Sequence, residues 1–120
     1  KEGLIDVIVS DHIPEDEESK RLPFAQAATG AIGIETLLPL ALEMYHNQSL
    51  SLNKIIETLT INPSKILKIN KGSLAIGSEA DICIFDLEAA WVVKAENLKS
   101  KSKNTAIEGR KLQGKVLMTF

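Results

Sequence analysis

The spacing of apolar residues changes once along this chain, at Gly72, and that change limits the folds it can adopt. Before Gly72 the apolar residues recur at helical spacing in residues 34–45, 52–60 and 62–69. After Gly72 they alternate with a period of about two in residues 73–76, 81–86, 91–93 and 111–120. The pattern therefore predicts a group of helices followed by antiparallel strands.

Two capping signals predict where the helices begin. Ser51 suits the N-cap of the helix over residues 52–60, because its hydroxyl oxygen can accept a hydrogen bond from an unpaired backbone N–H. Asn62 is predicted to cap the last helix, with Pro63 at the first helical position, where a missing N–H does no harm. Gly72 would end that helix.

A β-branched apolar run precedes the helices at residues 4–10 and is typical of a strand buried on both faces of a parallel sheet. Residues 14–23 are polar and bounded by two prolines, which predicts a surface loop. Strand, helices and antiparallel strands in this order predict an α/β fold. It would comprise the C-terminal part of a (β/α)8 barrel in residues 1–71 and a small β module in residues 72–120.

Composition and charge exclude several classes of function. A formal charge of −2 offers no broad positive field for nucleic acid. The longest apolar stretch, residues 32–45, contains Glu35 and Glu43 and is shorter than the roughly 20 apolar residues that cross a membrane. The single cysteine, Cys83, is predicted to be a small core residue and favours a cytoplasmic protein. Because the chain begins at Lys1 and ends on an apolar run, we expect a piece of a longer protein.

Asp11 is the chemical candidate, because it follows the predicted strand directly. A carboxylate at the end of a buried strand needs a cation or hydrogen-bond donors around it. Catalytic groups of (β/α)8 barrels lie at the C-terminal ends of the strands, where Asp11 could take a proton from a metal-bound water. The alternative is that Asp11 only caps the following loop. His12, the next residue, would point to the other side of the strand.

Several motifs occur together in the order typical of one enzyme family. They are Asp11-His12-Ile13-Pro14, Gly30-Ala31-Ile32-Gly33-Ile34-Glu35-Thr36, Asn62-Pro63-Ser64, Gly72-Ser73-Leu74-Ala75-Ile76-Gly77 and Ser102-Lys103-Asn104-Thr105. Over nearly its whole length the chain resembles the C-terminal third of the long, bacterial-type dihydroorotases in the metal-dependent amidohydrolase superfamily. The resemblance implies part of an amidohydrolase barrel joined to part of a small β-sandwich module.

The resemblance also implies a reaction, which is the zinc-dependent, reversible hydrolysis of dihydroorotate to N-carbamoyl-aspartate in pyrimidine synthesis. Asp11 matches the family's last-strand aspartate, which binds zinc and shuttles a proton to the ring nitrogen. Two zinc ions per full-length subunit are implied, and their other ligands precede the matching region. We therefore expect these 120 residues alone to hold no zinc and to be inactive. A homo-oligomer is expected.

Three further positions correspond to substrate-binding residues of the family, and two depart from its pattern. Glu15 stands where the family has a histidine that contacts the substrate carboxylate, and Thr29 with Gly30 replaces a Phe-Gly pair whose backbone contacts the ring. A carboxylate at position 15 would repel an anionic substrate. Three interpretations stay open: an enzyme with a rearranged pocket, a non-catalytic subunit that partners aspartate transcarbamoylase, or a related hydantoinase or allantoinase.

Overall fold

The computed structural model describes residues 3–120, which form four helices, one 3₁₀ turn and two strands within that range. In chain order these are α1 (Glu17–Lys20), α2 (Leu37–His46), α3 (Leu52–Leu59), α4 (Ile61–Leu67), β1 (Cys83–Val92), the 3₁₀ turn (Ala95–Asn97) and β2 (Lys111–Thr119). The predicted order of helices before Gly72 and strands after it is confirmed, because α2 to α4 precede that residue and both strands follow it.

The predicted cap forms at the start of α3 but not at the start of α4. Ser51 caps α3 as predicted, its hydroxyl oxygen accepting a hydrogen bond from the Lys54 N–H at 3.3 Å. The prediction for α4 was wrong, since that helix begins at Ile61. Asn62 lies inside its first turn and its side-chain amide donates to the Asp6 carbonyl at 2.9 Å. A partner far away in sequence therefore takes the side chain that was expected to cap the helix.

The strands β1 and β2 form a two-stranded antiparallel sheet, with Cys83 opposite Thr119 at one end and Val92 opposite Lys111 at the other. Residues 81–86 and 91–93, predicted as two strands, belong to one strand whose register shifts between Asp86 and Ala90. The Asp86 carboxylate accepts hydrogen bonds from the backbone N–H groups of Glu88 and Ala89 at 2.8 and 3.2 Å. This local turn explains the break in alternation.

Two predictions for the strand region were wrong. Residues 73–76 lead into a turn, closed by the Ser78 N–H and the Ala75 carbonyl at 3.0 Å, because no strand among residues 3–120 lies beside them. Leu74 and Ile76 are accordingly exposed. Cys83 is exposed as well, since it begins β1 at the edge of the molecule, away from the core.

The hydrophobic core joins the two predicted parts of the chain. Ile32 comes from residues 1–71, whereas Val93, Leu98 and Leu112 come from residues 72–120, and all four are buried together. Gly114 of β2 lies against α2, where an added Cβ would stand 2.5 Å from Cδ1 of the fully buried Leu42. The absence of a side chain at this position lets the sheet close on the helix. The division into a barrel part and a β module stays a prediction.

Residues 4–10 do not form the buried strand predicted from their sequence. Leu4, Ile5 and Val9 are 83%, 69% and 71% exposed, and no strand of the described chain pairs with this segment. A strand of a parallel sheet is buried only when neighbours cover it on both sides. Within residues 3–120 the segment has a single backbone bond to the α3 region, from the Ile8 N–H to the Thr58 carbonyl at 3.2 Å.

None of the helices described here combines the length and the apolar character that crossing a membrane requires.

Candidate functional site

Asp11 lies where the apolar segment of residues 4–10 ends, and it faces an open cavity. Its φ of 43° falls in the left-handed region, which aspartate adopts more readily than most residues. The residue is exposed and lines a cavity of about 550 Å³ together with Ser10, Gly30 and Gly33. A molecule in this cavity would therefore have direct access to the carboxylate.

Gly30 lies beside Asp11 in the wall of the same cavity, as the sequence motifs led us to expect. Its φ of 101° suits glycine, and an added Cβ would stand 2.5 Å from the Cβ of Ile13. A parallel bridge between His12 and Ala31 brings the two segments together, with the Ile13 N–H donating to the Ala31 carbonyl at 2.9 Å. The structure thus unites two of the four predicted site residues.

His12 binds backbone groups of the site and does not line the Asp11 cavity. Its Nδ1 accepts a hydrogen bond from the Gly33 N–H at 3.0 Å and a longer one from the Ile34 N–H at 3.4 Å. His12 lies near Glu35 and Leu98, where there is no room for a ligand. Asp11 therefore lines the open cavity and His12 does not, although the left-handed φ of Asp11 means that the two residues are not consecutive members of an extended strand.

The other two predicted residues lie outside the wall of the Asp11 cavity. Glu15 is half-buried, and the contacts of its backbone reach across the chain: its N–H donates to Oδ1 of Asn104 at 3.3 Å, and its carbonyl oxygen accepts from the Ser102 hydroxyl. Thr29 is exposed. Of the three positions predicted to bind substrate, Gly30 alone shares a cavity with Asp11.

Asn104 joins the segments of the site, a role that sequence reasoning missed. Its side-chain amide donates to the carbonyl oxygens of Ile13 and Gly30 at 3.2 and 3.4 Å, while its Oδ1 accepts from Glu15. Its own carbonyl accepts from the Ile32 N–H at 3.3 Å. The Ser102-Lys103-Asn104-Thr105 motif was the available signal, since an amide side chain both donates and accepts.

Residues 14–23, predicted as a loop because they are polar and lie between two prolines, contain the short helix α1. Asp16 caps it, its carboxylate accepting from the Ser19 N–H at 2.8 Å. Lys20, the last residue of α1, donates from Nζ to the carbonyl oxygens of Ala28 and Gly30 at 2.6 and 2.8 Å. The loop is therefore folded back onto the cavity wall.

Glu35 ties the site region to the chain that follows the 3₁₀ turn. Its two carboxylate oxygens accept hydrogen bonds from the backbone N–H groups of Lys99 and Ser100 at 2.9 and 3.0 Å. A carboxylate that receives two backbone donors is a strong and well-oriented acceptor. Residues 98–105 are thus held against residues 12–35 at both of their ends.

The residues described here do not form a zinc site by themselves. No group of three or more His, Cys, Asp and Glu side chains in residues 3–120 is placed to hold a metal ion. Asp11 can offer one carboxylate, which is below the ligand number of a stable zinc site. Among residues 3–120 the one group with a displaced pKa is elsewhere: hydrogen bonds to Asp81, and then to Glu79, raise the pKa of Lys71 to about 12.

The comparison with protein families identifies the chain. The amidohydrolase family model matches residues 1–120. The chain belongs to the amidohydrolase family. Two of its relatives in that family are the dihydroorotases of Anaplasma phagocytophilum (strain HZ) and Aquifex aeolicus (strain VF5). The Anaplasma protein is 44% identical over 119 residues, which cover 99% of this chain and 27% of that protein. The Aquifex protein is 44% identical over 120 residues, which cover 100% of this chain and 28% of that protein. The resemblance drawn from the motifs is confirmed, and the chain spans about a quarter of these relatives.

Solved structures confirm the amidohydrolase fold. The dihydropyrimidinase of Brevibacillus agri NCHU1002 matches with a TM-score of 0.93 at 25% identity, covering 100% of this chain and 28% of that one. The L-hydantoinase of Arthrobacter aurescens matches with a TM-score of 0.85 at 35% identity, covering 98% and 28%. Because the matches cover 98–100% of this chain, its exposed segments also have the backbone arrangement seen in these larger proteins.

Proposed function

We propose that this chain is the C-terminal part of a dihydroorotase, a zinc-dependent enzyme that reversibly hydrolyses dihydroorotate to N-carbamoyl-aspartate in pyrimidine synthesis. The observation that carries the proposal is Asp11, which opens into a cavity beside Gly30 at the end of the apolar segment. Relatives that are 44% identical over the whole chain and named dihydroorotase support it. In this proposal residues 1–71 contain the last barrel strand, the active-site loop and the C-terminal barrel helices, and residues 72–120 belong to the β-sandwich module.

Asp11 is assigned the proton transfer. Its carboxylate would accept a proton from the attacking water and return it to the ring nitrogen as the amide bond breaks, as general acid–base catalysis requires. The same residue is assigned one zinc-ligand position. The remaining ligands would come from sequence outside residues 3–120, because that range holds no cluster able to bind a metal.

Gly30, Thr29 and Glu15 are assigned to the substrate. Gly30 would contact the ring through its peptide group, since it lines the cavity with Asp11. Thr29 precedes it on the same segment, and Glu15 occupies the family's carboxylate-binding position. The negative charge of Glu15 requires a cation elsewhere if the substrate is dihydroorotate, which carries a carboxylate.

A related cyclic amidase is the second candidate. Glu15 favours it, because hydantoin and dihydropyrimidine rings can lack the carboxylate that Glu15 would repel. The matching solved structures include a dihydropyrimidinase and hydantoinases. The two candidates share the role of Asp11 and differ in the charge of the ring.

The test is an assay of the protein from the complete reading frame that contains these residues, supplied with zinc. Wild-type protein should hydrolyse dihydroorotate, and Asp11→Asn should lower turnover by about 10²–10⁴-fold, the usual contribution of general acid–base catalysis. Glu96→Gln is the control: Glu96 is an exposed carboxylate in the 3₁₀ turn and does not line the Asp11 cavity, so activity should persist.

The outcomes separate the candidates. Full activity of Asp11→Asn would contradict the assignment of Asp11 as the general base. Hydrolysis of hydantoin or dihydrouracil without dihydroorotate would favour the related amidase. Inactivity on every ring, combined with copurification of aspartate transcarbamoylase, would favour a non-catalytic subunit. Homo-oligomerisation and the cytoplasmic location stay predictions, to be checked by light scattering and cell fractionation.

A further inference from the structure

The loop beside the candidate site is rich in negative charge. Residues 11–21 contain two cations and five carboxylates, which belong to Asp11, Glu15, Asp16, Glu17 and Glu18. Arg21, one of the two cations, forms ion pairs with Glu17 and Glu18 on the exposed side of α1. This loop would therefore repel an anionic substrate, and Lys20 is its one cation outside those ion pairs.

Lys20 has a different set of contacts from Arg21. Its ammonium group donates to the carbonyl oxygens of Ala28 and Gly30, and no ion pair links it to a carboxylate within the described chain. An ammonium group carries three N–H donors. Two of them are used by these carbonyls, so one remains for an acceptor that enters from outside.

The position of Lys20 is fixed by the folding of α1. Asp16 caps the helix, and the Ala28 N–H donates to the Ser19 carbonyl at 3.1 Å, which holds α1 against residues 28–30. The side chain is half-buried, so its charge acts in a medium less polar than bulk water. Gly30, which accepts from Lys20, also lines the Asp11 cavity. Lys20 does not itself line that cavity, and its positive charge is one hydrogen bond away from a residue that does.

We propose that Lys20 determines substrate specificity by binding the carboxylate of an anionic cyclic amide with its third N–H. The ammonium group supplies the charge that Glu15 fails to supply at the position where the family has a histidine. The proposal rests on the proposed function, because it presumes a ring hydrolase, and it selects the anionic substrate from the two ring classes considered above.

The experiment compares Lys20→Met, Lys20→Arg and Arg21→Met in the protein from the complete reading frame. Lys20→Met should raise KM for dihydroorotate about tenfold, as expected for the loss of a hydrogen bond to a charged group, with kcat within about twofold of wild type. Lys20→Arg keeps the charge and should recover most of that loss. Arg21→Met is the matched control and should leave KM unchanged, since Arg21 pairs with the loop's own carboxylates.

Added salt supplies a second readout. KM of the wild-type protein should rise with sodium chloride concentration, and Lys20→Met should weaken that dependence, because a screened charge no longer attracts the substrate. A fall in kcat at constant KM, without rescue by Lys20→Arg, would show a structural role and overturn the proposal. An unchanged KM in Lys20→Met would overturn it as well. Wild-type protein inactive on dihydroorotate would instead overturn the proposed function.

Discussion

The segments on either side of Asp11 are held in opposite ways. After it, residues 12–35 are tied down by polar side chains, including Lys20, Glu35 and Asn104, which bond to backbone groups. Before it, residues 4–10 expose Leu4, Ile5 and Val9. The difference teaches that contacts within these 120 residues determine the geometry of residues 12–35, called the site loop below. The same 120 residues do not bury residues 4–10.

The two segments also differ in the kind of energy involved. Each side-chain hydrogen bond to the backbone contributes about 1 kcal/mol and is directional, so it fixes where a loop lies. Burying one leucine or isoleucine side chain contributes about 1.5–3 kcal/mol and has no direction. The site loop is therefore oriented by its own chain, while residues 4–10 retain apolar surface whose burial would stabilise the protein further.

The largest effect is expected at Gly30, where the site loop is most tightly packed. Gly30→Ala combines a left-handed φ with a Cβ 2.5 Å from that of Ile13, and it should lower the free energy of unfolding by about 3 kcal/mol. Gly77→Ala is the matched control, because its φ of 89° is similar and nothing lies within 4 Å. It should cost about 1 kcal/mol. Urea denaturation measures both, and equal losses would contradict the packing argument.

A smaller effect is expected at Asn104. Asn104→Ala leaves the Ile13 and Gly30 carbonyls and the Glu15 N–H without this partner, which should cost about 2 kcal/mol of unfolding free energy. Asn53→Ala, on the exposed surface of α3, should change stability by less than about 0.5 kcal/mol. Thermal unfolding checks both variants, and an unaltered midpoint in Asn104→Ala would show that the loop is held by other contacts.

The smallest effect is expected at Leu4, on the other side of the comparison. In the 120-residue chain Leu4→Gln should change the free energy of unfolding by less than about 0.5 kcal/mol, because Leu4 is 83% exposed. In the protein from the complete reading frame, burial in a barrel would make the same change cost about 2 kcal/mol. Circular dichroism during denaturation measures the two values. Equal values in both proteins would argue against residues 4–10 as a barrel strand.

Sequence periodicity predicted α2 and α3 well because their apolar faces pack inside this chain, whereas Ile66 and Leu67 of α4 are exposed. Ile55 and Leu42 are fully buried on α3 and α2, at positions that the helical spacing marks. Prediction failed where a residue depends on something outside local spacing. Asn62 was expected to cap α4 but binds the Asp6 carbonyl, and Asp86 interrupts β1 with a local turn.

The candidate site shows the same division. Asp11 and Gly30 were found from motifs, and they do share a cavity. Lys20 and Asn104 were missed because their roles come from contacts with backbone carbonyl oxygens, 8 and 10 residues away for Lys20 and up to 91 residues away for Asn104. Such contacts leave no periodic trace in the sequence, since a carbonyl acceptor is present at every residue.

Trp91 gives the contact between sheet and helices an optical consequence. Its indole N–H donates to the Gly114 carbonyl at 3.0 Å, and its ring packs against the cluster that contains Ile32. It is the one tryptophan of the sequence. Any motion that separated the β1–β2 sheet from the segment carrying Gly30 and Ile32 would therefore alter the fluorescence emission of Trp91. That emission would report whether the sheet and this segment remain in contact.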